Sequence, residues 1–162
     1  ASVYVPNGQS IESEKFPYKL EFLDHFYTHA HTLMGYDELI VMGGDYNIAP
    51  RDDDAALPSA WEGSVLTHAE VRKRWRMLAS LGLQDAFIHA DAMGAASTTN
   101  HSRFTWWDYR AGAYAKNDGL RIDHFLCSPQ AADRIESYAV ALPLREREKP
   151  SDHAPIIIEL LA

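Results

Sequence analysis

Residues 39–50, LIVMGGDYNIAP, constrain the fold more than any other stretch of the chain. The apolar run that opens it has no polar alternation, which predicts a fully buried strand over residues 37–45. The run then ends abruptly. Gly43 and Gly44 lead into Asp45 and Asn47, and Pro50 closes the turn. A carboxylate and a carboxamide at the mouth of a buried strand have two readings. They satisfy backbone groups of a turn, or they hold a reacting atom, and on this stretch alone the two readings stand level.

The flanking sequence supplies partners for such a strand. SVYV at residues 2–5 is short and β-branched and runs into PNG, a turn signal. Over residues 14–32, Leu20, Leu23, Phe26 and Tyr27 recur at helical spacing, which predicts an amphipathic helix starting near Pro17. A polar loop follows the buried strand. Thr67 and Glu70 then predict a capping box for a second helix that stops at Gly82. Arg72, Lys73, Arg74 and Arg76 on that helix read as a solvated face. After a Gly/Ala/Ser/Thr-rich loop come RFTWW, LRIDHFLCS, ESYAVAL and APIIIELL, four strand-like runs. Strand, helix, strand, helix and then several strands predict a layered α/β or α+β domain.

At 162 residues the chain suits one domain with a sizeable core. No apolar run nears the roughly 20 residues of a membrane span, so no membrane partner is expected. The one cysteine, Cys127, fits a reducing compartment, giving a cytoplasmic rather than secreted expectation. A net charge of −8 argues against a general nucleic-acid coat protein, yet it is compatible with an enzyme that gathers carboxylates around a divalent cation. The chain opens on SVYV without an initiator methionine, which reads as processed, trimmed or cut from something longer.

Carboxylates recur beside the strand-like runs: Asp45 with Asn47 after LIVMGG, Asp123 within LRIDHFL, and Asp152 with His153 before APIIIELL. Asp123 is the most telling, because a carboxylate flanked by apolar residues needs a partner when buried. His153 is the candidate if the strands lie side by side. Alone, SDH reads as a cap. Together, the three places predict one cleft with hard oxygen ligands, an amide to orient water and a His–Asp pair, which is what metal-assisted phosphoryl transfer requires. Two look-alikes fail. DYNIAPRDDD lacks the glycine of an EF-hand loop, and His25 and His29, four apart on the first helix, lack the glutamate of the zinc-protease motif.

YVPNG, GDYNIAP, FTWWDYR, NDGLRID and KPSDHAPI, in this order, resemble the exonuclease III type of apurinic/apyrimidinic (AP) endonuclease, within the endonuclease/exonuclease/phosphatase superfamily. The resemblance runs from residue 3 to about residue 158. GDxN and SDH are shared across the superfamily, and WWDYR followed by GLRID is particular to the DNA-repair branch. The resemblance implies a four-layer α/β sandwich with the site at one edge of two packed sheets. It implies that Asp45 activates the attacking water, with Asn47 helping to hold it. Asp123 pairs with His153, which stabilises the phosphate or moves a proton. Asp152 binds metal, with Asp45 and Asn47 as further ligands, and the metal is Mg²⁺ or Mn²⁺. Tyr4 and Asn7 contact phosphate, Tyr4 within the catalytic group. Trp106, Leu120 and Ile122 line an apolar slot for a base-less sugar, while one of Trp106 and Trp107 packs the core. The implied substrate is double-stranded DNA with abasic sites or blocked 3′ ends, cleaved 5′ to the abasic site, with 3′–5′ exonuclease or 3′-phosphodiesterase activity. The implied full-length state is a monomer.

The sequence departs from that pattern at its start. The family's metal-binding glutamate belongs to a segment upstream of YVPNG that this chain does not include. Residues 1–162 are therefore expected to be a single catalytic domain in its C-terminal portion, impaired when isolated. A superfamily phosphatase, a non-specific nuclease and a catalytically silent binding module are the rival expectations.

Overall fold

The computed structural model describes residues 1–97 and 103–162, so part of the Gly/Ala/Ser/Thr-rich loop lies outside the described residues. The elements are β1 (Ser2–Tyr4), α1 (Lys15–Met34), β2 (Val41–Asp45), α2 (Ala69–Ser80), β3 (Gln84–Asp85), α3 (Ala86–Ala92), α4 (Ala113–Lys116), β4 (Asp123–Cys127), α5 (Pro129–Ala132), β5 (Ile135–Val140), α6 (Leu142–Arg145) and β6 (Ile156–Leu160). Four strands form a mixed sheet in the order β1-β2-β4-β3, and β5 pairs with β6 in a second sheet.

Side-chain alternation along the strands sorts the residues into layers. Met42 of β2 and Leu126 of β4 join Leu23 and Ala30 of α1 and Val71, Trp75 and Leu78 of α2 in one core. Their strand neighbours Val41, Phe125 and Cys127 face the opposite way, packing with Tyr138, Val140, Ile156 and Ile158 of the second sheet. Helices, sheet and sheet therefore stack in that order, an α/β sandwich. Among the described residues, no helix is long and apolar enough to cross a membrane.

The glycine pair at the end of β2 is explained by close approach. A Cβ on Gly44 would lie 1.9 Å from the carbonyl oxygen of Val3, and one on Gly43 would lie 2.3 Å from the Phe125 ring. Only glycine lets β1 pair in parallel with residues 43–45 while Phe125 crosses beneath.

Several expectations are corrected. β2 begins at Val41, and only Met42 within it is buried; the other four residues are partly exposed. His68 caps α2 instead of Thr67: its Nδ1 accepts from the Glu70 amide at 3.2 Å, while the Thr67 hydroxyl donates to the Trp61 carbonyl. Gly82 ends the helix as expected, in the left-handed region at φ +94°. The basic run on α2 is not a uniformly solvated face. Arg72 binds Asp52 and the Ala49 carbonyl, and Arg74 binds Asp24 and Glu70, tying α2 to a loop and to α1. RFTWW forms isolated bridges rather than a strand, with Trp106 bridging both Leu120 and His153. His25 and His29 are exposed on α1.

Candidate active site

The site begins as a row across the sheet. Tyr4, Asp45 and Asp123 are register partners on β1, β2 and β4. Two carboxylates placed directly opposite one another on antiparallel neighbours repel, and nothing in sheet formation favours that arrangement. Burial pushes the Asp45 carboxyl up to about 6, and the Asp123 charge pushes the same way, against the Asn47 amide and the nearby histidines.

Asp123 has the partner that its burial demands. Its Oδ2 lies 2.9 Å from His153 Nδ1 and accepts from the Thr105 hydroxyl at 2.6 Å. The other imidazole nitrogen, Nε2, lies 4.0 Å from Asp45 Oδ2. Burial disfavours the imidazolium, but the Asp123 hydrogen bond and the charges of Asp123, Asp45 and Asp152 outweigh it and raise the His153 pKa. Asp152 accepts from the Trp106 indole N–H at 2.9 Å.

Asn47 sits in the left-handed region at φ +50°, which asparagine tolerates better than most residues. Its amide nitrogen donates to the Val5 carbonyl and to Asp45 Oδ2, both at 3.0 Å, and its backbone N–H donates to Asp45 Oδ1 at 2.8 Å. Its Oδ1 accepts from Asn7 Nδ2 at 2.9 Å. Both amide hydrogens are committed, so the first effect of Asn47 is to orient the Asp45 carboxylate.

Tyr4, Asn7, Asp45, Asn47, Trp106, Ile122, Asp152 and His153 all rim one cavity of about 280 Å³, with Leu66 completing the wall. Asp123 stands behind His153. Leu120 is withdrawn from the substrate slot: its backbone exchanges two hydrogen bonds with Trp106, and its side chain is wholly buried in the first core. Trp107 is the core tryptophan of the pair.

A match to the model of the endonuclease/exonuclease/phosphatase family spans residues 10–153. The chain belongs to this family. Among curated relatives it is similar to exodeoxyribonuclease III of Haemophilus influenzae, at 35% identity over 96% of this chain and 59% of that protein. Among solved structures it is similar to an AP endonuclease from Archaeoglobus fulgidus, with a TM-score of 0.88 and 30% identity over 98% of this chain and 60% of that one. It is also similar to the Neisseria 3′ phosphatase NExo bound to a product DNA hairpin, with a TM-score of 0.90 and 32% identity over 99% and 60%. The chain thus spans about 60% of the length of these relatives.

Three site residues escape a reading of the sequence. Leu66 carries no signal beyond being apolar. Thr105 sits inside FTWW, where the tryptophans draw attention, yet its buried hydroxyl accepts from the Ile122 and Asp123 amides while donating to Asp123. Lys19 did leave a trace. It occupies the apolar stripe of α1 between Phe16 and Leu23, and it is fully buried. Burial pulls its ammonium down to about 7, opposed by the Asp45 charge.

Proposed function

We propose that this chain carries the reaction centre of a DNA-repair phosphodiesterase that cuts 5′ to abasic sites and trims blocked 3′ ends. One observation supports it above the others: the Asp45 carboxylate and His153 Nε2 stand 4.0 Å apart on the wall of a cavity, with Asp123 2.9 Å behind the imidazole. That spacing sets a base and an acid side by side, within reach of one phosphoryl group. Asp45, aimed by two donations from Asn47, accepts the proton of the attacking water. His153 presents Nε2–H to the phosphoryl oxygens and keeps its imidazolium through Asp123. In this reading Tyr4 and Asn7, on the same cavity wall, contact the phosphate, and Trp106 with Ile122 forms the apolar wall for a base-less sugar.

The donor chemistry suits Mg²⁺ or Mn²⁺. Asp152 and Asp45, with Asn47 beside them, offer hard oxygens to the cavity, which favours a cation there. Mg²⁺ habitually uses one or two carboxylates plus substrate phosphate, which Asp45 and Asp152 can provide. A bound cation supplies Lewis-acid charge against the phosphate oxygens.

The cavity lies just below the roughly 300 Å³ at which sites for drug-sized ligands begin. Its small size and the Trp106–Ile122 wall suit a base-less sugar, and exclusion of a normal nucleotide is the proposed source of the preference for abasic sites. The test compares an abasic-site duplex, a duplex with a 3′-phosphate, an intact duplex and small sugar phosphates, using the complete product of the gene with Mg²⁺. Preferred turnover of the first two, lost in Asp45→Asn, is the expected result. Hydrolysis of the small phosphates alone would make the protein a phosphatase of the same family, and no turnover of any substrate would leave a binding module.

A further inference from the structure

Among the described residues Lys19 pairs with no carboxylate, which is unusual for a buried lysine. Its Nζ reaches the backbone carbonyls of Asn7 at 3.1 Å, Asn47 at 2.6 Å and Val65 at 2.8 Å. These carbonyls belong to separate segments: the loop after β1, the loop after β2 and the loop before α2. Each segment sends a residue to the cavity wall, namely Asn7, Asn47 and Leu66. An ammonium carries three N–H donors on a compact tetrahedral head, and here it meets three acceptors. The surroundings are built around its stem. Gly8 stands at φ +93°, and a Cβ there would lie 3.2 Å from Lys19 Cδ.

We propose that Lys19 is a positioning residue of the candidate site: its ammonium clamps three loops so that Asn7 and Asn47 meet, and Asn47 thereby aims the Asp45 carboxylate. The chain of contacts is continuous. Lys19 holds the carbonyls of both asparagines, the Asn7 side chain donates to Asn47, and Asn47 donates to both oxygens of Asp45. A planar guanidinium cannot reproduce the arrangement, because its donors lie in one fork. Methionine preserves the stem and leaves the buried carbonyls of Asn47 and Val65, and the part-buried one of Asn7, without the ammonium donor.

The inference rests on the reaction proposed above, but the geometry that Lys19 sets does not depend on which reaction runs there. Lys19→Met and Lys19→Arg are therefore examined in two ways, both on protein shown to be folded by near-ultraviolet circular dichroism. The first readout is the side-chain NH₂ resonances of Asn7 and Asn47. Both pairs are expected to shift in each variant, while those of Asn117, held by Trp107 away from the clamp, stay in place. The second is turnover of an abasic-site duplex per folded molecule. There kcat is expected to fall at least about 10-fold with KM changed less than about 3-fold, the signature of a misaimed group rather than lost binding. Lys19→Arg, which keeps the charge, should not restore the rate, and it carries the test if Lys19→Met does not fold. Unshifted asparagine amides in a folded variant would overturn the clamp. So would an unchanged kcat per folded molecule, which would leave Lys19 a purely structural residue. Should the wild-type protein cleave no DNA, the proposed function fails, and the amide resonances still decide the clamp.

Discussion

β4 and the segment leading into it separate two polar clusters built from nearly the same residue types. Behind the sheet, Arg121 Nε donates to Asp54 at 2.7 Å, and Nη1 donates to both oxygens of Asp85 at 2.7 and 2.9 Å and to His124 Nδ1 at 3.0 Å. His124 Nε2 in turn donates to the Ile48 carbonyl at 2.9 Å. At the mouth of the sheet, Asp45, Asp123 and Asp152 surround a single imidazole, His153. Burial pushes the Asp85 carboxyl up, but the Arg121 guanidinium holds it far below the usual range; at Asp45 burial prevails, and the carboxyl rises to about 6. Two carboxylates and a histidine thus make a structural anchor where an arginine matches them. Where no arginine matches them among the described residues, three carboxylates and a histidine leave a charged cavity.

Breaking the matched cluster should have the largest effect on stability. Arg121→Met strands Asp54 and Asp85 in the interior and is expected to destabilise the fold by about 3–5 kcal/mol in urea unfolding. The matching loss at the mouth should strike activity instead. Asp123→Asn removes the charge that sustains the His153 imidazolium and is expected to cut turnover of an abasic-site duplex by about 10²–10⁴-fold, with stability changed by less than about 1 kcal/mol. A ¹⁵N NMR titration of the same variant should bring the His153 pKa down from its raised value. An unmoved His153 would break the pairing.

A smaller effect sharpens the contrast through its sign. Asp45 is raised from 3.8 to about 6 in the folded chain, so its ionisation opposes folding. Its contribution to stability is intact below pH 3.8 and is lost as pH rises to about 6. Removing the charge in Asp45→Asn should therefore stabilise the metal-free protein by about 1–3 kcal/mol at pH 7, relative to the effect of the same change at pH 3. Added Mg²⁺ should shrink that gain by compensating the wild-type charge. The corresponding change in the matched cluster runs the other way: the stability contributed by Asp85, whose carboxyl is depressed, is present above about pH 3.9 and lost as pH falls below it.

The comparison also shows what a sequence discloses. β1, α1, β5 and β6 were legible because short apolar runs and 3.6-residue periodicity are local signals. The convergence of Asp45, Asp123 and His153 was legible for a related reason, since a carboxylate bordering an apolar run is costly to bury unpaired. Leu120 was misplaced because its neighbours in LRID share its chemistry, and only the backbone pairing with Trp106 shows that it is withdrawn. The isolated bridges of RFTWW looked like a strand because aromatic and β-branched residues favour extended backbone without specifying a partner. α3 went unseen because its seven residues are too short a run for helical periodicity to show. Lys19 was readable in principle: a lysine on an apolar stripe asks what satisfies it, but the answer lies in three loops distant in sequence.

The claim that the unmatched cluster is the reaction site, and the matched one is not, can be met by one titration. Carboxyl ¹³C and imidazole ¹⁵N resonances are followed while Mg²⁺ and a duplex containing a tetrahydrofuran abasic site are added to the complete product of the gene. The account predicts that Asp45, Asp152 and His153 shift together and saturate with the DNA, while Asp54, Asp85 and His124 remain in place. Shifts confined to the Asp54–Arg121–Asp85 cluster, or a mouth that ignores both metal and DNA, would contradict it.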